Sequence, residues 1–359
     1  MRAKLFVMAG GGTGGHVIPG IAVARELRRM GHEVLFVGTG RGVENKLVPA
    51  AGFRLEKIRV GGMKNLGLVT RLASAWRLVA ETMEQVVKFG EWEPAAVFSM
   101  GGYVAGPPVL AALLRGVPLV VMEPNAIPGA TNRYVARWVT RALINFEETA
   151  RYFPAGRTEL TGVPVREEFF QSPVRPEGGG IRILITGGSQ GSRTLNEAAR
   201  AAWPLFRGSE MWIRIVHQTG TAMYEQIAAE FAKTGLAGEV VPFITDMPAA
   251  FAEADLVVCR SGAGTVSELA AAGKPSILIP FPFAADNHQL RNAEAFVRAG
   301  AAVLSLDREW TGEKFFETVR ALASDRSKLD SMGESARKLA HAGAARRAAE
   351  ILVEISEVR

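Results

Sequence analysis

A histidine at the end of a glycine-rich segment is the first residue of the sequence with an evident chemical use. The segment, Gly10 to His16, holds five glycines, and its backbone N–H groups could converge on an anion or lie close to a sugar. His16 is its only titratable side chain, so it is a candidate general base toward a hydroxyl. The alternatives are a histidine that only fixes the loop and a glycine turn with no ligand.

The same segment matches the Gly-x-Gly-x-x-Gly pattern of dinucleotide-binding proteins through Gly10, Gly12 and Gly15. In that class an acidic side chain follows the second strand and holds a ribose. Here the second predicted strand ends in the five residues from Phe36 to Gly40. Because no carboxylate stands there, the sequence argues against a dinucleotide site.

A second set of small residues, from Cys259 to Glu268, lies between a predicted strand and a predicted helix. A helix N-terminus binds a diphosphate through backbone N–H groups without a metal ion, so this segment predicts a diphosphate site. Glu268 is expected to project from the first helical turn, where its two oxygens could accept both hydroxyls of a ribose. The alternative is a capping box, because Thr265-x-x-Glu268 also fits that motif.

A third glycine-rich loop, Gly187 to Ser192, lacks the lysine of the NTPase phosphate loop. Ser189 is a candidate donor to a phosphate or a sugar, and capping of the following helix is the alternative. The sequence has no Asp-x-Asp motif, and its five histidines have no metal-ligand spacing. We therefore expect no metal and no other cofactor, and we expect backbone N–H groups and Arg166 to meet the charge of a departing diphosphate.

These loops follow strand-like runs rich in Val, Ile, Leu and Phe, which alternate with helix-period segments. Such alternation is typical of an α/β fold with a parallel sheet. Strands are predicted in the first half at Lys4–Ala9, Glu33–Val37, Arg54–Ile58, Ala96–Ser99, Leu119–Glu123 and Arg141–Ile144. In the second half they are predicted at Ile181–Thr186, Trp212–His217, Val240–Pro242, Leu256–Cys259, Ser276–Ile279 and Ala302–Leu304.

The opening of the chain recurs near its middle. KLFVMAGGGTGGH and IRILITGGSQGSR are each a strand, a glycine-rich turn and a helix start, with the first helix predicted at Ile21–Met30. The pattern predicts two tandem Rossmann-like domains, residues 1–163 and 164–340, joined in the Pro- and Gly-rich stretch Thr161–Gly180. A final helix over about residues 341–359 is assigned to the first domain, since proteins of this architecture can return it there.

Charge is distributed unevenly along the 359 residues. Residues 1–163 carry a net charge of +8 and residues 164–359 a net charge of −2. The two add to the net charge of +6 of the whole chain. No Lys/Arg block, zinc-finger spacing or RNA-binding signature accompanies the basic half, so nucleic acid is not expected as a partner. An anionic lipid surface or a phosphorylated substrate fits better, and chance variation is the alternative.

The sequence has one cysteine, no N-terminus of signal-peptide type and no run of about 20 apolar residues. It predicts a cytosolic protein, or one that sits on a membrane without crossing it. A candidate membrane surface is the segment Lys64–Lys88, with Trp76 and the cations Lys64, Arg71 and Arg77. Its apolar stripe at helical spacing consists of Leu68, Leu72, Ala75, Val79 and Met83.

A second helix is predicted to carry Arg133, Arg137 and Arg141 on one face, with Tyr134 and Trp138 beside them. Aromatic and cationic residues around an apolar patch are typical of an interfacial surface. The first domain is therefore predicted to contact the membrane, and burial of the apolar stripe of Lys64–Lys88 in the core is the alternative.

Three motifs taken together resemble one family across essentially the whole chain. They are Gly-Gly-Thr-Gly-Gly-His, Gly-Gly-Ser-Gln-Gly and Cys-Arg-Ser-Gly-Ala-Gly-Thr-Val-Ser-Glu. The family is MurG, the inverting GT-B N-acetylglucosaminyltransferases of peptidoglycan synthesis. The resemblance implies two Rossmann-like domains with the active site in the interdomain cleft. It also implies a peripheral enzyme at the cytoplasmic face of the bacterial inner membrane, with possible partners among cell-wall synthesis proteins.

The resemblance further implies transfer of GlcNAc from UDP-GlcNAc to the muramyl 4-hydroxyl of lipid I, which is undecaprenyl-pyrophosphoryl-MurNAc-pentapeptide. The products would be the β-1,4-linked lipid II and UDP. By matching motif positions, the donor site would contain Thr13, Gly14, Gly15, Asn125, Arg166, Ser189, Ile244, Ala263, Gly264, Thr265, Val266, Ser267, Glu268 and Gln289. Ile244 would meet the uracil through its backbone, and Gln289 would bind sugar hydroxyls.

His16 is assigned as the general base, with Glu123 as the alternative. The sequence departs from the family pattern at Pro124, where members often have Gln, and at His288, where some have Gln. The rival functions are a glycolipid glycosyltransferase with a diacylglycerol acceptor, a UDP-GlcNAc 2-epimerase and a non-catalytic nucleotide-sugar-binding module.

Overall fold

The computed structural model describes residues 2–61, 68–171 and 180–357, and of residues 68–73 it describes the backbone alone. The chain divides into two compact units, Met1–Pro164 with Gly343–Arg359 and Val165–Ala342. Among the helices of the described ranges, none is both long and apolar enough to span a bilayer.

The first unit is built on a parallel sheet of seven strands, in the order β3-β2-β1-β4-β5-β6-β7. Its elements are β1 Leu5–Ala9, α1 Gly14–Arg29, β2 Glu33–Thr39, α2 Glu44–Ala50, β3 Arg54–Ile58, α3 Leu68–Trp92, β4 Ala96–Ser99, α4 Gly106–Arg115, β5 Leu119–Glu123, α5 Ala130–Val135, β6 Arg141–Ile144 and β7 Thr158–Leu160. All six predicted strands are present, and β7 is an additional strand at the edge.

Both faces of this sheet are covered, which is why its strands are apolar throughout. Along β1, Phe6 and Met8 join the apolar cluster that contains residues of α1. Val7 and Ala9 join the opposite cluster, which contains residues of α4. The alternation follows from the two-residue period of a strand.

The second unit has a parallel sheet of six strands, in the order β10-β9-β8-β11-β12-β13. Its elements are β8 Ile181–Thr186, α6 Arg193–Arg207, β9 Ile213–Gln218, α7 Tyr224–Ala232, β10 Ala237–Val241, α8 Met247–Glu253, β11 Leu256–Cys259, α9 Ala263–Ala272, β12 Ser276–Leu278, α10 His288–Arg298, β13 Ala302–Leu304, α11 Gly312–Ala323 and α12 Arg326–Lys338. Two Rossmann-like sheets confirm the predicted fold class.

Part of the predicted linker Thr161–Gly180 is ordered structure of the second unit. A short 3₁₀ helix spans Glu167–Phe170, and its Phe169 is buried edge-on against Phe251 of α8, with the ring centroids 5.3 Å apart. Residues 172–179 of the stretch lie outside the described residues.

The last helix, α13 Ala344–Glu357, belongs to the first unit. It packs against α1 and buries Ile351 and Leu352 in the cluster beneath that helix. At the start of the chain, Lys4 Nζ donates to Ser356 Oγ at 3.0 Å, so the two ends of the chain are held together within this unit.

Each sheet has one point from which the chain adds strands in opposite directions. It lies between β1 and β4 in the first sheet and between β8 and β11 in the second. In open parallel sheets the loops at the carboxyl ends of such a strand pair form the ligand-binding crevice. The Gly10–Thr13 loop follows β1, and the Cys259–Gly262 loop leads out of β11. The fold therefore brings the predicted glycine-rich segments to the two switch points.

Candidate active site

The first glycine-rich segment is partly helical. We predicted that the helix after it would begin at Ile21, but α1 begins at Gly14 with Thr13 as its N-cap residue, in extended conformation. Gly14, Gly15 and His16 thus form the first helical turn, outside the helix interior where glycine is most costly. His16 is held at a helix N-terminus and not on a flexible loop.

The His16 ring is held by two neighbours. Its Nδ1 lies 3.2 Å from Thr13 Oγ1, and the ring packs against Gly102, where an added Cβ would stand 3.4 Å from Cε1. Gly102 also has a φ of +77°, a conformation that favours glycine. The histidine is partly exposed, so a hydroxyl of a ligand can reach it.

The segment Met100-Gly101-Gly102-Tyr103 after β4 was missed by the sequence analysis. Tyr103 is 48% exposed, and its ring lies 3.8 Å from the position of a Cβ at Gly12. Thr131 Oγ1 of α5 donates to the Gly102 carbonyl at 2.9 Å, which fixes the position of this segment. The adjacent glycines directly after a strand were the signal that could have revealed it.

A buried carboxylate that the sequence analysis also missed holds the first glycine-rich segment. Glu44, at the start of α2, is fully buried. Its Oε2 accepts from the Gly12 N–H at 2.8 Å, and its Oε1 accepts from the Thr39 N–H at 2.9 Å and from Thr39 Oγ1 at 2.6 Å. Burial raises the pKa of the Glu44 carboxyl, but these donors outweigh it and hold the pKa below its ordinary value.

Glu123, the predicted alternative base, is a second buried carboxylate. It is 1% exposed, and its oxygens accept from the Asn125 N–H and Nδ2, the Gly129 N–H and Asn132 Nδ2, at 2.9 to 3.1 Å. Burial raises its pKa, and these donors oppose that rise. Through these bonds Glu123 shapes the Asn125 loop, and its role as the alternative base stays a prediction.

In the second unit, the N-terminus of α9 is the open end of a helix. Its N-cap residue is Gly262, and an added Cβ at Gly262 or Gly264 would have no atom within 4 Å. The N–H groups of the first turn, Ala263 to Thr265, have no acceptor within the helix. They are suited to an anion such as a diphosphate.

Glu268 lies in the second turn of α9 and not in the first, which corrects our prediction. Since the helix begins at Ala263, Thr265 stands inside it and forms no capping box with Glu268. Burial raises the pKa of Glu268 to about 7, and the Arg166 guanidinium acts against that rise. Arg166 is exposed and precedes the Glu167–Phe170 helix, which packs against α9.

The side chains of Val266 and Ser267 are buried, so any part they play in ligand binding passes through the backbone or through packing. Ser189 is exposed beyond β8, whereas the cap of α6 is Ser192, whose Oγ accepts from the Leu195 N–H. The capping alternative for Ser189 is therefore wrong.

Arg260 ties the loops of the second unit together, a role that the sequence analysis missed. Its guanidinium donates to Ser192 Oγ at 2.7 Å, to the Ile279 and Pro280 carbonyls at 3.1 and 3.2 Å, and to Asp307. Arginine is suited to this because it offers five donors in one plane. It therefore fixes the loops after β8, β11 and β12 with respect to one another.

Gln218 joins two predicted donor-site segments and was also missed. Its Nε2 donates to the Gly188 carbonyl at 2.8 Å, and its Oε1 accepts from the Ile244 N–H at 2.7 Å. We expected the backbone of Ile244 to meet the uracil, and its N–H is bonded within the protein. Gln289 Oε1 accepts from the Phe281 N–H at 3.0 Å, which orients this carboxamide at the start of α10.

The predicted site residues fall into two groups. Thr13, Gly14, Gly15, His16, Glu123 and Asn125 lie in the first unit at the ends of β1 and β5. Arg166, Ser189, Ile244, Ala263 to Glu268 and Gln289 lie in the second unit.

The first unit exposes an apolar surface along α3. Trp76 is 74% exposed, and Val79 and Met83 are each about half exposed, so the described part of the stripe is not buried in the core as the alternative had it. A groove of about 690 Å³ runs from α3 to Leu114 of α4 and to Trp138. Lys64 and the side chains of Leu68, Arg71 and Leu72 lie outside the described residues.

The predicted second cationic helix is shorter than expected. α5 ends at Val135, a 3₁₀ turn covers Ala136–Trp138, and Arg141 lies in β6, donating to the Gly156 carbonyl at 3.2 Å. Arg133, Arg137 and Arg141 therefore do not share one helical face. Arg137 instead lies over the Trp138 ring, 3.9 Å from its centroid.

Comparisons with known proteins agree with this geometry. Residues 6–144 match the N-terminal domain of glycosyltransferase family 28, and residues 182–349 match its C-terminal domain. A relative from Solibacter usitatus is 61% identical over 99% of this chain and 97% of its own length. Its name is UDP-N-acetylglucosamine--N-acetylmuramyl-(pentapeptide) pyrophosphoryl-undecaprenol N-acetylglucosamine transferase.

Among solved structures, Acinetobacter baumannii MurG superposes with a TM-score of 0.82 at 33% identity, over 98% of this chain and 99% of that one. A UDP-GlcNAc 2-epimerase from Neisseria meningitidis superposes with a TM-score of 0.68 at 13% identity, over 99% and 100% of the two chains. At that identity the likeness shows the fold alone.

Two Rossmann-like units with glycine-rich turns at their switch points define a glycosyltransferase of the GT-B class. The chain belongs to glycosyltransferase family 28 and, within it, to the MurG family of N-acetylglucosamine transferases.

Proposed function

We propose that this enzyme transfers GlcNAc from UDP-GlcNAc to the muramyl 4-hydroxyl of lipid I, with inversion at the anomeric carbon. The products are lipid II and UDP. The observation that carries the proposal is the open N-terminus of α9, with Glu268 and Arg166 beside it. The acceptor follows from the names of the relatives, which specify N-acetylmuramyl-(pentapeptide) pyrophosphoryl-undecaprenol.

The second unit binds the donor. The first-turn N–H groups of α9 and the Arg166 guanidinium hold the diphosphate, because both present positive potential to an anion. The Glu268 carboxylate accepts hydrogen bonds from the ribose hydroxyls. The Gln289 amide donates to a hydroxyl of the sugar, since its oxygen is already bonded to the Phe281 N–H.

The first unit supplies the base. When His16 Nδ1 carries the proton and donates to Thr13 Oγ1, Nε2 has the lone pair that takes the proton of the acceptor hydroxyl. The acceptor oxygen then forms a bond to the anomeric carbon as the bond from that carbon to the phosphate oxygen breaks. The electron pair leaves with UDP, whose charge is met by the α9 N-terminus and Arg166.

The enzyme acts at the cytoplasmic face of the bacterial inner membrane in this proposal, and the exposed apolar surface along α3 supports it. Exposed aromatic and apolar side chains flanked by arginines bind an anionic lipid surface through both burial and charge. The first unit also carries the basic half of the chain. An acceptor with a polyprenyl chain is held at the same surface, and proteins of cell-wall synthesis are possible partners there.

The test is transfer of radiolabelled GlcNAc from UDP-GlcNAc to a short-chain analogue of lipid I. We expect one labelled disaccharide product with a β linkage. Labelled product on diacylglycerol instead would favour a glycolipid glycosyltransferase. Conversion of UDP-GlcNAc to its 2-epimer without any acceptor would favour an epimerase. Binding of UDP-GlcNAc without any turnover would favour a non-catalytic module.

A further inference from the structure

We infer that Glu44 is a positioning residue that sets the place of His16. The inference rests on the proposed function, in which His16 is the base. Glu44 itself is fully buried and touches no ligand, so its effect must pass through the loop that it holds.

The contact that carries the effect is short and direct. Glu44 Oε2 accepts from the Gly12 N–H at 2.8 Å, and Gly12 precedes Thr13, the N-cap residue of α1. Thr13 Oγ1 in turn lies 3.2 Å from His16 Nδ1. Three consecutive links thus connect a fixed carboxylate in the second βα turn to the ring of the base.

The carboxylate occupies a cavity that exists only because the surrounding residues are glycines. An added Cβ at Gly11 would stand 2.6 Å from Glu44 Cδ, and one at Gly38 would stand 2.8 Å from its Cγ. A Cβ at Gly42 would overlap Oε2. Glycines from two loops and from the end of β2 therefore leave space for this one side chain, which indicates a specific role beyond filling the core.

The remaining donors keep the carboxylate in place. Thr39 gives its N–H and its hydroxyl to Oε1, so Oε2 is directed at Gly12. An N–H of a glycine-rich turn that would otherwise be available to an outside anion is satisfied by the protein's own carboxylate. The turn is thereby adapted to hold a histidine.

The test compares three single variants. Glu44→Gln replaces a carboxylate oxygen, which accepts a hydrogen bond, by an amide nitrogen, which can only donate one. It should therefore lower kcat for GlcNAc transfer about tenfold and leave the KM for UDP-GlcNAc unchanged. Gly42→Ala should lower kcat in the same way, because its methyl group displaces the carboxylate. This variant replaces Glu44→Gln in the test if Glu44→Gln folds poorly. Glu33→Gln is the matched control, since it makes the same change at an exposed glutamate of β2.

A double-mutant cycle separates positioning from general stability. If Glu44 acts through His16, then adding Glu44→Gln to His16→Ala should change kcat less than about twofold, because the shared effect is already lost. The inference would be overturned if the effects of Glu44→Gln and His16→Ala on kcat multiplied, or if Glu33→Gln lowered kcat as much as Glu44→Gln. If His16→Ala alone leaves kcat unchanged, the proposed base is wrong and the role of Glu44 falls with it.

Discussion

The replacement Glu268→Gln should make the empty protein more stable and its donor binding weaker. Burial raises the pKa of Glu268 from an ordinary value of 4.5 to about 7. Between these two pH values the folded protein binds a proton that the unfolded chain has lost, so stability falls as pH rises through this window. Above pH 7 the ionised carboxylate costs up to about 3 kcal/mol of the free energy of unfolding. Glutamine carries no such cost.

The carboxylate has a use that offsets this cost. Ribose hydroxyls would donate to its two oxygens, and hydrogen bonds to a charged group contribute about 1.5–3 kcal/mol each. Glutamine offers one oxygen, so the affinity for UDP-GlcNAc should fall at least about tenfold, at about 1.4 kcal/mol per decade. Since the donor binds the ionised form, wild-type affinity should also fall as pH drops below 7.

The assays are titration calorimetry with UDP-GlcNAc and urea unfolding, each at pH 8 and pH 5. We expect Glu268→Gln to gain stability over the wild type at pH 8 and little at pH 5. The control is Glu225→Gln, which changes an exposed glutamate of α7 in the same unit. A variant that kept its donor affinity and lost stability at pH 8 would refute the reasoning and make Glu268 a structural residue.

Four further outcomes are expected. His16→Ala should lower kcat about 10²–10⁴-fold with little change in donor affinity, and an unchanged kcat in the transfer assay would remove the base. Transfer should persist in excess EDTA, because the sequence has no Asp-x-Asp pair; a loss that Mg²⁺ restores would contradict the role given to the α9 N-terminus. Burial lowers the pKa of His217 from 6.5 to about 4, so between these pH values the unfolded chain binds a proton that the folded protein does not. The free energy of unfolding should therefore fall by about 3 kcal/mol as pH drops through this range. Urea unfolding of His217→Gln should show a smaller fall, and an equal fall would assign the pH effect to another group. Replacing Arg77, Arg133 and Arg137 by Glu should weaken co-sedimentation with anionic vesicles about a hundredfold and spare activity on a water-soluble acceptor, since each cation contributes about 1 kcal/mol; unchanged binding would place the membrane contact elsewhere.

Most of the fold could be predicted because the strands are buried on both faces. Continuous apolar runs bounded by Gly, Pro or charged residues placed β4 and β11 at the bounds that the structure has. The strand β7 was missed because it has three residues at a sheet edge, with Glu159 at its centre. A strand of that kind has no apolar run to indicate it.

Helix starts were less predictable than strands. Glycine has low helix propensity, so the sequence alone places the start of α1 after the glycines, at Ile21. In the structure Gly14 begins the helix, at a position outside the helix interior where the low propensity of glycine counts most. The same uncertainty produced the capping-box alternative for Glu268, which depended on a helix start three residues too late.

The candidate site could be predicted only in part. Residues proposed to touch a ligand, such as His16 and Glu268, are recognisable from side-chain type and local spacing. Residues that hold the loops are recognisable only from their partners, and those are distant in sequence. Glu44 bonds a residue 32 positions away, Gln218 one 26 positions away and Arg260 one 68 positions away. Local patterns contain no information about such pairs.

The return of α13 to the first unit affects the order in which the protein can be completed on the ribosome. Residues 344–357 are made after the rest of both units, yet Ile351 and Leu352 fill the apolar layer beneath α1. Nascent chains generally fold their N-terminal domain first. Here the first unit keeps an uncovered apolar face until α13 emerges, whereas the second unit, Val165–Ala342, is complete before that point. A chain truncated before Gly343 would therefore lose the unit that carries His16 and keep the one that carries Glu268.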